Sequence, residues 1–296
     1  MAEKKDQVVI KPRKHARLYQ MYLALMEAQK LRIRHGNRVA AIEDDRCNYD
    51  LVVETQIMSA WGPAGIEALE AEFEALMVEY AREVGPVWDW LVSLRGVSEA
   101  SPMAAKLLAL IDDISTFSTV SKLWRKSGHG LYQYWVDSTG KVMAPIQGFK
   151  VKKGERKPYQ VIASPKPGWE LKWMADRRLT GWCSPYDVKL RSTVWMLGTN
   201  FLRCGMKLYA GIAREKKIEL RREHPIPIPG SKGTRYSVGH IHNMGMRAMR
   251  KVFLAHLWYV WRDSEGLPVS APYIQEHGGG GHTIVPPPNW PLPEVE

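Results

Sequence analysis

Residues 88–111 read Trp88-Asp-Trp-Leu-Val-Ser-Leu-Arg-Gly96-Val-Ser-Glu-Ala-Ser-Pro102-Met-Ala-Ala-Lys-Leu-Leu-Ala-Leu-Ile111. Apolar residues recur at helical spacing over 88–95 and again over 103–111, with a short turn between them that begins at Gly96. Glycine suits such a turn because it accepts positive φ, and its missing Cβ lets backbone N–H groups approach a phosphate. Ala104, Ala105 and Ala109 supply the small residues that close helix packing needs. The stretch is therefore a helix-hairpin-helix candidate, although Gly96-Val97-Ser98 stands where Gly-apolar-Gly is usual and Pro102 delays the second helix. Two readings stay open: a hairpin holding phosphate at Gly96 and Ser98, and a purely structural αα-hairpin.

Upstream of it the chain reads as helix. A basic arm at 1–15 leads into a helix over 16–45, with Leu18, Met21, Tyr22, Leu25 and Met26 on one stripe and a kink or break expected at Gly36-Asn37. A second helix is expected over 51–61, ended by Gly62-Pro63. Beyond it Ile66, Leu69, Phe73, Leu76, Tyr80 and Val84 form a 3-4 repeat like a coiled-coil seam. Glu67, Glu70, Glu72, Glu74, Glu79 and Glu83 face outward from that seam. They are expected to pair with Arg32, Arg34 and Arg38, either within the chain or across a dimer. The alternative is two amphipathic helices packed on the C-terminal core.

Composition narrows the class. The 296 residues are 45% hydrophobic and 25% charged, enough for one or two globular domains with a sizeable core. No run approaches the roughly 18 apolar residues of a membrane span, and the polar start Met-Ala-Glu-Lys-Lys-Asp is unlike a signal peptide. The expected location is the cytoplasm, with no membrane partner. Cys47, Cys183 and Cys204 form no Cys-x-x-Cys pair, which argues against a disulfide framework or a zinc ribbon.

Charge is segregated. Residues 1–120 hold 14 Lys and Arg against 18 Asp and Glu, residues 121–262 hold 28 against 8, and residues 263–296 hold none against 5. The middle segment thus carries a net charge of +20 in a chain whose total is +11. Such a field attracts polyanions through phosphate neutralisation and counterion release.

Within that segment a helix is expected over 115–125, ending at Gly128. Two strand pairs should follow, 131–136 with 141–143 and 159–164 with 169–174, the last with Trp169, Leu171 and Trp173 buried by alternation. Helices are expected over 185–198, 201–222 and 238–262, and a disordered Gly/Pro-rich tail beyond. The candidate phosphate-binding residues are Lys141, Lys150, Lys152, Lys153, Arg156, Lys157, Arg177, Arg178, Lys189, Arg191, Arg247, Arg250 and Lys251, with Tyr159 and Trp169 placed to stack on bases. His240 and His242 have no cysteine or carboxylate at ligand spacing, so no metal is expected there. The fold class read from all this is mainly α: a basic arm (1–15), a helical hairpin or coiled coil (16–86), a nucleic-acid-binding domain with a small β-hairpin insertion (87–262) and a disordered tail (263–296).

Several of these pieces occur in a familiar order. A coiled coil leads into Trp90-Leu-Val-Ser-Leu-Arg-Gly-Val97, then Leu107-Leu-Ala-Leu-Ile-Asp-Asp-Ile-Ser-Thr-Phe117, then Leu123-Trp-Arg-Lys-Ser-Gly-His-Gly130, then Leu190-Arg-Ser-Thr-Val-Trp-Met-Leu-Gly198. Over roughly 88–210 this resembles the C-terminal transposase domain of DEDD-type insertion-sequence transposases, the IS-one-ten family, in the shortened build of phage and mobile-element proteins. The resemblance implies a DNA-binding, dimeric, recombination-related protein, with DNA or structured guide RNA as partner.

Two features depart from the family. Its full enzymes begin with an RNase H-like domain whose four acidic residues hold magnesium. Here Glu43, Asp44 and Asp45 sit at one helix end and cannot replace carboxylates spread over a sheet. No cofactor is therefore expected, with Mg2+ entering only through a separate RNase H-like partner. The family's nucleophilic serine is followed directly by glycine, whereas the nearest equivalent here is Ser138-Thr139-Gly140, which also reads as ordinary turn chemistry.

Three functions follow. The first is a nucleic-acid-binding protein of a mobile element that lacks the metal site. The second is an active transposase or recombinase in which Ser138, with Ser184 and Ser192 as alternatives, attacks a phosphodiester and Arg177, Arg178 or Arg191 stabilises the charge. The third is a protein-interaction factor recruited through the acidic helices.

Overall fold

The computed structural model describes residues 13–44, 46, 48, 50–59, 65–150, 159–163, 166–176, 179–224, 236–269 and 285–291. Among these the chain is mainly helical, with nine α-helices and two small antiparallel sheets inserted mid-chain. It divides into two compact units, one of residues 1–88 with 100–113 and the other of 89–99 with 114–296. None of its described helices is long and apolar enough to cross a membrane.

The first unit is built on α1 (Ala16–Glu43), α2 (Leu51–Ser59), α3 (Gly65–Arg82) and α5 (Pro102–Ile111). Leu18, Tyr22 and Leu25 of α1 and Met77, Val78 and Ala81 of α3 supply its buried stripe. α1 runs unbroken through Gly36-Asn37, contrary to the expected kink, because a lone glycine in a 28-residue helix weakens it without ending it. One of the expected acid–base pairs forms within the chain: Arg32 Nε donates to Glu70 Oε1 at 2.6 Å, with Glu70 buried and not on an outward face. Arg38 pairs instead with Glu54 of α2, an acid outside the expected set, which also takes His35. α5 starts where Ser101 accepts from the Ala104 N–H and Pro102 stands at the first helical position, a strong N-terminal signal. Asp112, just past its end, accepts from the His15 backbone N–H at 3.0 Å.

The division between the units falls inside α4 (Pro86–Ser93), so the arms of the expected hairpin are shared out. Gly96 does take positive φ, +99°. A Cβ there would meet Cys204 Sγ at 3.2 Å and the Asn200 carbonyl oxygen at 3.4 Å, so its open side is filled by protein.

The second unit is organised on α9 (Val238–Ser264), against which α8 (Lys207–Glu223), α7 (Val188–Arg203) and α6 (Val120–Lys126) pack. Phe253 sits at the centre of an aromatic cluster, with Phe201, Tyr209 and Trp90 rings at 5.1, 5.7 and 6.3 Å. The expected helix end at Gly198 is not one: α7 continues to Arg203, and the break comes at Cys204-Gly205. Gly198 serves close packing instead, since a Cβ would lie 2.8 Å from Met249 Cε and 3.0 Å from Arg250 Nε.

Strand pairing also differs from expectation. β1 (Tyr132–Val136) pairs with β2 (Val142–Pro145), as read, but its other neighbour is β5 (Glu170–Met174). β4 (Tyr159–Ile162) pairs instead with β3 (Gln147–Lys150). The register sets Lys172 opposite Tyr134 and Trp173 opposite Gln133. Alternation then puts Leu171 and Trp173 on the sheet face away from buried Tyr132, Tyr134 and Val136, and Trp173 is 56% exposed. Residues 285–291 lie within the stretch read as a disordered tail. They are described, with the Pro288 carbonyl accepting from Trp90 Nε1 at 2.7 Å and the Val285 carbonyl bonded to His256 Nε2 at 2.8 Å.

Candidate nucleic-acid interface

In the second unit α6, the turn after it, and the start of α7 are tied together by backbone. The Asp187 N–H donates to the Lys126 carbonyl at 2.9 Å, and the Asp187 carboxylate caps α7 by accepting from the N–H groups of Lys189 and Leu190. Gly128 takes φ +75°, and a Cβ on it would lie 2.9 Å from Arg191 Cδ and 3.0 Å from the Tyr186 ring. The Leu123–Gly130 and Leu190–Gly198 stretches, far apart in sequence, thus meet at Arg191.

Arg191 has two fixed neighbours. Its Nη1 donates to Asp176 Oδ2 at 3.2 Å, its guanidinium lies 4.6 Å over the Tyr186 ring, and Asp176 is held from the other side by Tyr134 OH at 3.2 Å. α9 adds Arg247, Arg250 and Lys251. Arg247 Nη2 donates to the carbonyl oxygens of His129 and Gly130, both at 2.8 Å. Lys251 Nζ lies 4.1 Å over Trp124, whose indole N–H donates to the Lys251 carbonyl. Arg250 is only 8% exposed, and its Nε and Nη2 are buried with no hydrogen-bond partner. Its guanidinium carbon lies 5.7 Å from the centre of the Trp195 ring.

This is an electropositive site. Burial, then Arg191, pushes Arg250 down to about 10, and burial with Arg191 lowers Arg247 as well. Burial, then Arg250, Arg247 and Arg191, drives His129 down to about 3, so its imidazole is neutral at physiological pH. Ser127 Oγ donates to the Trp124 carbonyl, which leaves it to accept from His129 Nδ1–H at 3.2 Å. Beside the cluster opens a cleft of about 540 Å³ lined by Asp176, Tyr186, Val188, Arg191, Ser192, Trp195 and Met196. Among the described residues, no group of three or more His, Cys, Asp or Glu side chains is arranged to hold a metal ion.

Of the sequence candidates, the structure brings together Arg191, Arg247, Arg250 and Lys251. Others lie elsewhere. Lys141 is exposed after the β1–β2 turn, Lys150 lies 4.4 Å over Trp182, Trp169 is half-buried with the Lys166 ammonium 5.6 Å over its ring, and Lys189 is exposed on α7. Ser98 is exposed beyond Gly96. Lys152, Lys153, Arg156, Lys157, Arg177, Arg178 and the Tyr159 side chain lie outside the described residues. Ser138 is exposed in the turn, where Asp137 accepts from the Thr139 hydroxyl and N–H and from the Lys141 N–H, and not from Ser138. Sequence reasoning missed Asp176, Tyr186, His129 and Trp195. Trp195 had a legible signal, being a large aromatic on the face of α7 opposite Leu190, Val194 and Leu197.

No protein-family model matches the sequence, and no curated protein matches it.

Proposed function

We propose that the protein binds nucleic acid, contacting phosphates through the basic second unit, as a DNA-binding or guide-RNA-binding component of a mobile element or phage. The observation that carries this reading is Arg250, a buried cation with unmet hydrogen-bonding capacity beside Arg191, Arg247 and Lys251. Holding like charges together costs folding energy, and an anion arriving at the site offsets that cost. Two of the four stretches that resemble a transposase C-terminal domain, 123–130 and 190–198, meet at Arg191 in this cluster, which supports the mobile-element assignment.

The finer architecture belongs to the same proposal. The α1–α3 unit acts as the dimerising element, whereas the turn at Gly96, closed off by Cys204 and the Asn200 carbonyl, serves packing. Exposed Ile33, Val52 and Val53 on α1 and α2 support an association surface. Light scattering of the full chain should then give twice the monomer mass.

The test is fluorescence anisotropy of the full chain with labelled duplex DNA, single-stranded DNA and structured RNA. Binding that weakens with added salt supports the reading and identifies the preferred polymer. Absent or salt-insensitive binding to all three overturns it and favours a protein partner.

A further inference from the structure

We infer that the cleft beside Arg191 receives a single unpaired nucleotide, its base stacked on Trp195 and its phosphate on Arg191. This rests on the nucleic-acid reading above and names the part of the polymer that the cleft takes.

Trp195 carries the argument. Trp195 is 51% exposed, as Trp173 on β5 is at 56%, in a unit that buries Trp90, Trp258 and Trp261, and it is set apart by the cation and the cleft beside it. One side of its ring has the Arg250 guanidinium 5.7 Å from the centre, and the indole also lines the cleft. Arg250 has little other role in the fold: its buried Nε and Nη2 bond to nothing, and the close approach of α7 at Gly198 holds it in place. A cation fixed against an aromatic ring draws on the π-system and leaves the opposite face for a second flat group.

Arg191 completes the site. It precedes Trp195 by one helical turn, roughly 6 Å along α7, a span comparable to that from a phosphate to its own base. Its side chain is 39% exposed, steered by Asp176 on one side and the Tyr186 ring on the other. A guanidinium has five N–H donors, and the Asp176 contact uses one of them. The rest suit a phosphate that a fixed fork meets in two places. Asp176 and Arg191 balance each other in charge, with Tyr134 OH donating to the other carboxylate oxygen, so the surplus positive charge that draws the anion comes from Arg247, Arg250 and Lys251 nearby.

The cleft volume of about 540 Å³ suits a ligand of nucleotide size. Bases inside a duplex are already stacked on their neighbours, so only an unpaired or extruded base offers a face to Trp195.

The experiment uses the full chain and three probes of one sequence: a perfect duplex, the single strand, and a duplex with one central unpaired 2-aminopurine. Binding should quench the 2-aminopurine. Trp195→Ala should abolish the quenching, weaken the two unpaired probes about tenfold and leave the perfect duplex within about twofold, while Trp195→Phe keeps most of the affinity. Because Trp195 is half exposed, both variants should melt as the parent does. If Trp195→Ala changes all three affinities alike or none of them, while salt-sensitive binding persists, the nucleotide cleft is wrong and the polyanion reading stands. If the parent protein binds none of the probes in a salt-sensitive way, both fall.

Discussion

Arg247 on α9 clamps the turn that ends α6, donating from Nη2 to the carbonyl oxygens of His129 and Gly130 at 2.8 Å each. That clamp holds Gly128 against Arg191 and so sets the shape of the cationic site. Replacing Arg247 with Met leaves two carbonyls without a donor and should lower stability by about 1–3 kcal/mol. Arg247→Lys should recover only part of this, since one ammonium does not reproduce a guanidinium fork. Urea denaturation of the two variants checks both.

Arg250 should behave in the opposite way. Met fills similar space and removes a buried, unmatched cation, so Arg250→Met should melt at the same temperature as the parent or higher. The same substitution should weaken nucleic-acid binding, because it removes charge beside Arg191. A variant that gains stability while losing affinity is the signature of a binding group, whereas loss of both would make Arg250 structural.

His129 gives a pH prediction. Its folded value of about 3 lies below the ordinary histidine value near 6.5, so the unfolded chain binds the extra proton first. Its contribution is therefore intact above pH 6.5 and is lost as pH falls from 6.5 towards 3, at a slope of up to about 1.4 kcal/mol per pH unit. His129→Asn offers a neutral donor to Ser127 and should flatten that acid limb. An unchanged limb in chemical denaturation between pH 6 and 4 would remove His129 as its source.

The helical periods were legible because they follow from burial alone. Leu18, Tyr22 and Leu25 on α1, and Met246, Met249, Phe253 and Leu257 on α9, mark stripes that the structure buries. Strand partners were not legible, since alternation on β5 says which residues share a face but not which face the register turns inward. Gly198 misled for a related reason: glycine ends helices and also lets helices touch, and only the position of Arg250 distinguishes the two. Arginine type and segment charge pointed to the second unit. They could not separate Arg247, spent on carbonyls, from Arg191, which faces the cleft, because that difference arises only in three dimensions.

The docked tail yields a further expectation. Pro288 and Val285 bond to Trp90 and His256, and the Trp290 indole N–H donates to Asp263 at 2.9 Å. Truncation after residue 284 should lower the melting temperature by several degrees by exposing Trp90 and leaving its indole N–H to water. An unchanged melting curve would show that residues 285–291 add nothing to stability.

The most direct test of the central claim is the salt slope of binding, for the parent and for Arg191→Gln, on whichever polymer binds best. The account predicts that log K falls linearly and steeply with log salt concentration, and that Arg191→Gln makes the slope shallower by about 1 as one phosphate contact is lost. A parent slope near zero, or an Arg191→Gln slope equal to the parent's, would contradict phosphate capture at this site.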